Sequence, residues 1–289
     1  MPINQELDTF LDSLPSPSTR SAYAAGLKAV LADFPAQHPK GLFSREQAQT
    51  VYAKLSNSDR SSASKNQSLA ACRAWGRFLC KSGVIQSNGF AALPYFKSRS
   101  GISESPRGLS MDELRRLAAC LDKLEGRTAA RDVLMCKLIY SSGLKVSDVT
   151  GLRVRDLNFR DGSVQLSRRS VAIYPDLIAQ LKNYLDTDRP ELLGNTESDA
   201  LFPSTSGSRL SRTTVFRIIQ KAGKACDLDI SPSTLRNTFA QIAFAQGIDL
   251  SVLSRALGHK HLQNTSRVAG ASPLDAARAH LLCHPRNSD

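Results

Sequence analysis

The window that most limits the fold is 153–174, where strand character interrupts a chain otherwise patterned for helices. VRDLNF and VQLS flank Asp161-Gly162, a pair suited to a tight hairpin turn, and SVAIY supplies a further β-branched run. Before the window, apolar residues recur at helical spacing, as in Ile3, Leu7, Phe10 and Leu14, or Tyr23, Leu27, Val30 and Leu31. After it, helical patterns return at 175–186 and 211–226. The expected class is therefore mainly α with a small antiparallel β-sheet, an α+β fold.

Local signals divide this pattern. Residues 1–98 read as a helical module, with Ser18 as a candidate N-cap and Ser44-Arg45-Glu46-Gln47 matching a capping box. Residues 99–108 combine Ser, Gly and charge without apolar periodicity, which predicts a linker. Ser110-Met111-Asp112-Glu113 then starts a helix by a second capping box, opening a domain over 109–289. A short helix is expected at 146–151.

The net charge of +12 is carried by both halves of the chain, which favours a polyanionic partner, nucleic acid being the usual one. In the N-terminal module Arg73, Arg77 and Lys81 recur every four residues, and Lys65 and Asn66 lie near the start of the same helical run. A basic row at that spacing can follow a phosphate backbone. The sequence has no run of 18 apolar residues and no basic leader followed by an apolar core, so neither a membrane span nor a secretory signal is expected, and the localisation read from this is cytoplasmic, on the nucleoid. The six cysteines contain no CxxC pair and read as reduced thiols. His259 and His261 lack a nearby cluster of carboxylates or thiols, so no metal or cofactor is expected.

Residues 231–268 concentrate further signals. Leu235, Phe239 and Ile242 line one helical run, Gly247 ends it, and Asp249 caps a second run holding Val252, Leu253 and Leu257. Helix, glycine turn and helix in a basic chain suggest a helix-turn-helix DNA reader. Three stretches in order then carry a resemblance: SSGLKVSDVTGLRVRDL, LFPSTSGSRLSRTTVFRIIQKAGKACDLDISPSTLRNTFA and LGHKHLQNTSRV. Together they resemble the catalytic domain of the tyrosine recombinase (phage integrase) family. The preceding helical module, with STRSAY, is similar to that family's core-binding, SAM-like domain. The resemblance implies two domains that embrace DNA. In active members it also implies strand cleavage by a tyrosine, with two arginines and a histidine on the phosphate and a hairpin lysine as acid.

Carried over residue by residue, the resemblance shows departures. The first arginine position is Lys145, within GLKVS; it keeps the charge but loses the planar fork. The family's H-x-x-R reads Ser233-Thr234-Leu235-Arg236, so Arg236 remains while a serine replaces an imidazole. His259 remains in LGH. The tyrosine position is Val268, and all six tyrosines precede residue 185. Where the family has a Gly-Lys-rich hairpin, this chain has LSRRSVAIY, leaving Arg168 and Arg169 as candidate phosphate contacts. The expectation is a sequence-specific duplex-DNA-binding protein that does not cleave, a regulator or accessory subunit in recombination of a mobile element. Two alternatives compete: an active recombinase using another hydroxyl, Thr265 or Ser266 being nearest, and a fold reused for protein assembly. The segment 272–284 has apolar residues at helical spacing, suited to contacts with a second copy or an active recombinase.

Overall fold

A computed structural model describes residues 3–32, 39–97 and 106–271. The expected linker falls mostly outside these residues, and the segment 272–284 falls wholly outside them. The chain divides into two compact units, 1–103 and 104–289.

The first unit is helical among its described residues: α1 (Ile3–Asp12), α2 (Pro17–Leu31), α3 (Pro39–Leu42), α4 (Arg45–Asn57) and α5 (Ser62–Lys81). Its core gathers Leu27, Leu42, Phe43, Leu69, Trp75, Leu79 and Phe90, with Trp75 and Phe90 both edge-on to Phe43. Gly26 lets α2 approach α5, since a Cβ there would sit 3.2 Å from Cα of Ser68. The cap of α2 is Ser16, not Ser18: Pro17 has the fixed φ and missing N–H suited to the first helical position, so the helix starts there. Ser44 caps α4, accepting from the Gln47 amide at 3.2 Å.

The second unit begins with α6 (Met111–Leu121), closed by the full reciprocal box between Ser110 and Glu113. It continues through α7 (Ala129–Ser142) and α8 (Val146–Gly151) to β1 (Leu157–Asn158), β2 (Ser163–Gln165) and β3 (Ser170–Ala172). The strands form one antiparallel sheet in the order β1-β2-β3, with Val164 opposite both Leu157 and Val171. These three side chains are buried, while Gln165 is exposed, the alternation a one-sided sheet requires. Then follow α9 (Pro175–Asp186), α10 (Asp188–Leu193), α11 (Arg212–Lys224), α12 (Pro232–Ala245), α13 (Leu250–Leu257) and α14 (Leu262–Ala269). The fold is thus mainly α with a small antiparallel sheet.

Helix α12 is central to this unit. Leu235 is fully buried in the main core with Leu138 and Ile139 of α7, while Ala240 and Ala243 join Leu253, Leu257 and Ala269 in a smaller cluster. Its polar edge also holds the chain entering the unit: Gln241 donates to the Pro106 carbonyl (2.8 Å), Asn237 to that of Arg107 (3.2 Å), and the buried Thr238 hydroxyl accepts from the Leu109 amide (2.8 Å). Asp249 caps α13 as expected, but Val252 is 47% exposed and lies outside the helix's packed face, which Leu253 and Leu257 supply. One turn separates Val252 from neither of these, so the 100° step per residue turns it away.

Candidate functional site

Two helix ends bring the predicted residues together. Gly143 terminates α7 in the left-handed region (φ 64°), and Gly258 does the same for α13 (φ 63°). A Cβ at Gly143 would collide with the side chains of Phe239 and Leu257, so both backbone shape and space demand glycine there. The two carbonyl-rich ends are joined by Arg236, which projects from α12. Its guanidinium donates to the Gly143 carbonyl, to that of Leu257 (2.7 Å) and to Nε2 of His259 (2.9 Å). Lys145, at the N-cap of α8, donates its ammonium to the Gly258 carbonyl at 3.1 Å.

The tautomer of His259 follows from these contacts. Arginine has only donors, so Nε2 accepts and Nδ1 carries the proton. Nδ1 then donates to the Thr265 hydroxyl, 2.9 Å away on α14 and wholly buried. Burial, followed by the positive charges of Arg236, Lys145, Arg169 and Arg267, pushes the imidazole pKa down to about 4. His259 is therefore a neutral, oriented ring at pH 7.

The hairpin supplies the third cation. A tight turn, in which the Leu166 amide bonds the Arg169 carbonyl at 2.8 Å, folds Arg169 inward and leaves Arg168 exposed. Arg169 lies over Gly258, occupying the space a Cβ would need, and pairs with Asp148 at 2.8 Å. The same Asp148 oxygen accepts from the Lys145 amide at 3.3 Å. Nε of Arg169 is buried without a partner, an open donor within the cluster.

Lys145, Arg169 and Arg236 thus share one carboxylate, Asp148, and a neutral histidine. Burial and the neighbouring Arg236 lower the Lys145 pKa, and burial and Arg169 bring Arg236 to about 10. Arg169 lowers both of its neighbours and Arg236 also lowers Lys145, so an anion placed among them would relieve this crowding of positive charge. Forked and pointed donors converging on one spot suit a phosphate oxygen.

The other predicted positions stand apart from this cluster. Ser233 is exposed on the first turn of α12, one turn before Arg236. Val268 is partly buried against the apolar cluster of α12 and α13, and its carbonyl accepts from Gln241 at 3.3 Å. His261 is exposed at the start of α14, and no group of metal ligands occurs among the described residues. In the first unit Lys65 donates to the Ser56 carbonyl (2.8 Å), and Asn66 grips both sides of the Phe96 backbone (2.7 and 2.9 Å). Arg73 donates to the carbonyls of Phe90 (3.1 Å) and Leu93 and stacks on Tyr95, 4.2 Å from its ring centre. Arg77 and Lys81 are exposed on α5.

Two partners were not anticipated from sequence: Asp148, which the spacing Lys145-x-x-Asp148 marks as a capping acid, and Thr265, which only the folded contact identifies. The phage integrase family model matches residues 107–270, more than half of the chain and including every member of this cluster. The chain belongs to the phage integrase family. Among integrase-family relatives, tyrosine recombinase XerD of Lacticaseibacillus casei is 28% identical over 243 residues, 82% of each chain. XerD of Pseudomonas aeruginosa is 32% identical over 188 residues, 63% of each. The Tn1549 transposon integrase with circular-intermediate DNA superposes with a TM-score of 0.74 at 15% identity, covering 97% of this chain and 98% of that one. A lambda integrase dimer on a core site gives 0.68 at 20% identity, covering 93% and 95%.

The histidine makes stability pH-dependent. The folded pKa lies below the unfolded value of 6.5, so between them the unfolded chain binds the extra proton. Stability is complete above pH 6.5, falls as pH drops toward 4, and this contribution is then exhausted. Discounted for solvent screening of the half-exposed ring, the loss is on the order of 1 kcal/mol. Denaturant melts at pH 7 and 4.5 will show it, and His259→Gln will flatten that part of the profile.

Proposed function

We propose that this integrase-family chain binds double-stranded DNA sequence-specifically without cutting it, as a regulator or accessory subunit in recombination of a mobile element. The observation that carries the reading is a convergent phosphate-suited cluster of Lys145, Arg169, Arg236 and neutral His259, beside a nucleophile position filled by Val268 in an apolar cluster. Charge retained where phosphate would sit, with chemistry removed, fits holding better than cutting. Relatives whose structures were solved on DNA, XerH on difH among them, support duplex DNA as the partner, and the lambda integrase dimer supports assembly of copies on it. The target is expected inside the cell, on the nucleoid; no helix among the described residues is long and apolar enough to cross a membrane. Thr265 is a poor alternative nucleophile because its hydroxyl is wholly buried and accepts the His259 proton.

The test is binding to duplexes selected from a random pool. Enrichment of one sequence is expected, with affinity falling steeply as salt rises. Arg169→Ala is expected to reduce the salt slope by about one, the release of roughly one phosphate contact. Absence of duplex binding at low salt would overturn the reading and favour a fold reused for protein assembly.

A further inference from the structure

A pair of thiols lies outside the cationic cluster. Cys120 stands at the end of α6, and Cys226 follows α11, immediately before Asp227. Asp227 is the non-glycine residue with positive φ (53°) among those described, in the turn that leads to α12 and Arg236. The Cys120 thiol reaches the Ala225 carbonyl at 3.8 Å, and the Cys226 thiol bonds that of Ala222 at 3.3 Å. Ala225 directly precedes Cys226, so the Cys120 thiol stands beside the stretch of backbone that carries Cys226. Cys120 is partly exposed, whereas Cys226 is 8% exposed and belongs to the main core.

We propose that Cys120 and Cys226 form a dithiol modification site, converted to an intramolecular disulfide by low-molecular-weight disulfides. The order of events follows from access. The Cys120 thiolate, which solvent can reach, attacks one sulfur of the oxidant, forming a mixed disulfide and expelling the first thiolate. Cys226 then gives up its proton and attacks the Cys120 sulfur, expelling the second. The oxidant is reduced to two thiols, and the protein loses two hydrogens. Burial, followed by the neighbouring Cys120, holds the Cys226 thiol up at about 11 against the opposing charge of Arg116, and Cys226 is also the less accessible of the two, so it is the resolving and not the attacking group. Cys72 and Cys136 are fully buried, with thiols pushed up to about 12, and do not compete. The bridge ties α6 to the turn entering α12.

The test treats the full native chain with oxidised glutathione, blocks free thiols with an alkylating agent, and maps unreduced peptides by mass spectrometry. The expected product is a peptide pair joined through Cys120 and Cys226, formed at a rate independent of protein concentration and reversed by dithiothreitol. Cys120→Ser, a change at a partly exposed position, is expected to abolish the bridge and leave Cys226 unmodified. A lasting mixed disulfide on Cys120 with Cys226 still a free thiol would overturn the proposal. So would bridging of either cysteine mainly to Cys80 or Cys283.

Discussion

Arg236→Ala will unfold at a lower temperature than the parent chain and bind duplex DNA at least about tenfold more weakly. The stability loss arises because this guanidinium is tied to three acceptors at once: the carbonyls of Gly143 and Leu257, and Nε2 of His259. Alanine leaves all three facing a partly buried gap. Unsatisfied buried acceptors cost about 1–3 kcal/mol each when water cannot replace the donor, and partial access brings the expected total to about 2–4 kcal/mol. The affinity loss has a separate cause, the disappearance of one of three cations from the phosphate-suited cluster. Arg236→Lys separates the two effects. It keeps the charge and part of the affinity, but one ammonium cannot span the ends of α7 and α13, so much of the stability loss remains. Thermal unfolding and competition binding on the same preparations will read both.

The second expectation concerns chemistry. Neither the parent chain nor Val268→Tyr will form a denaturation-resistant adduct with a nicked duplex bearing the selected sequence. A phenol at 268 restores a nucleophile in name only. The side chain it replaces packs against the small apolar cluster of Ala240, Ala243, Leu253 and Leu257. Ser233 supplies no imidazole, and Arg169 is committed to Asp148 and too weak an acid to protonate a leaving oxygen. General acid–base groups are worth about 10²–10⁴ in rate each, so two such losses place cleavage beyond detection even with a tyrosine present. Adding Lys145→Arg, Ser233→His and Arg169→Lys to Val268→Tyr is the route by which an adduct would return. A covalent complex formed by the parent chain would overturn the non-cleaving reading outright.

Much of the fold is legible in the sequence where one residue settles a local choice. The reciprocal bonding of Ser110 and Glu113, the capping by Asp249, and the hairpin around Asp161-Gly162 all act within a few residues, although Val154–Asp156 forms a 3-10 turn and the first strand is only Leu157–Asn158. Ser18 misled because its hydroxyl chemistry is right and only Pro17 fixes the start, which moves the cap two positions earlier to Ser16. Lys145, Arg236 and His259 are legible through the motifs that contain them. What periodicity does not carry is which long-range partner a polar group takes. Arg73 reads as part of a basic row and Asn66 as a polar neighbour near the start of its helix, yet their donors are engaged with the backbone of residues 90–96. Thr238, Asn237 and Gln241 look like an ordinary polar edge and instead fasten residues 106–109.

Under the proposed non-cleaving function, Val268 in its apolar setting has a kinetic consequence. An enzyme that joins itself to DNA records each encounter in a bond, and its departure waits on a second reaction. A chain that grips the phosphate by charge and hydrogen bonds alone leaves no such record. Its residence on a site is set by dissociation, and its occupancy by free concentration relative to Kd. Such a protein is displaced by competitors and by salt, and its influence at a site rises and falls with its abundance in the cell.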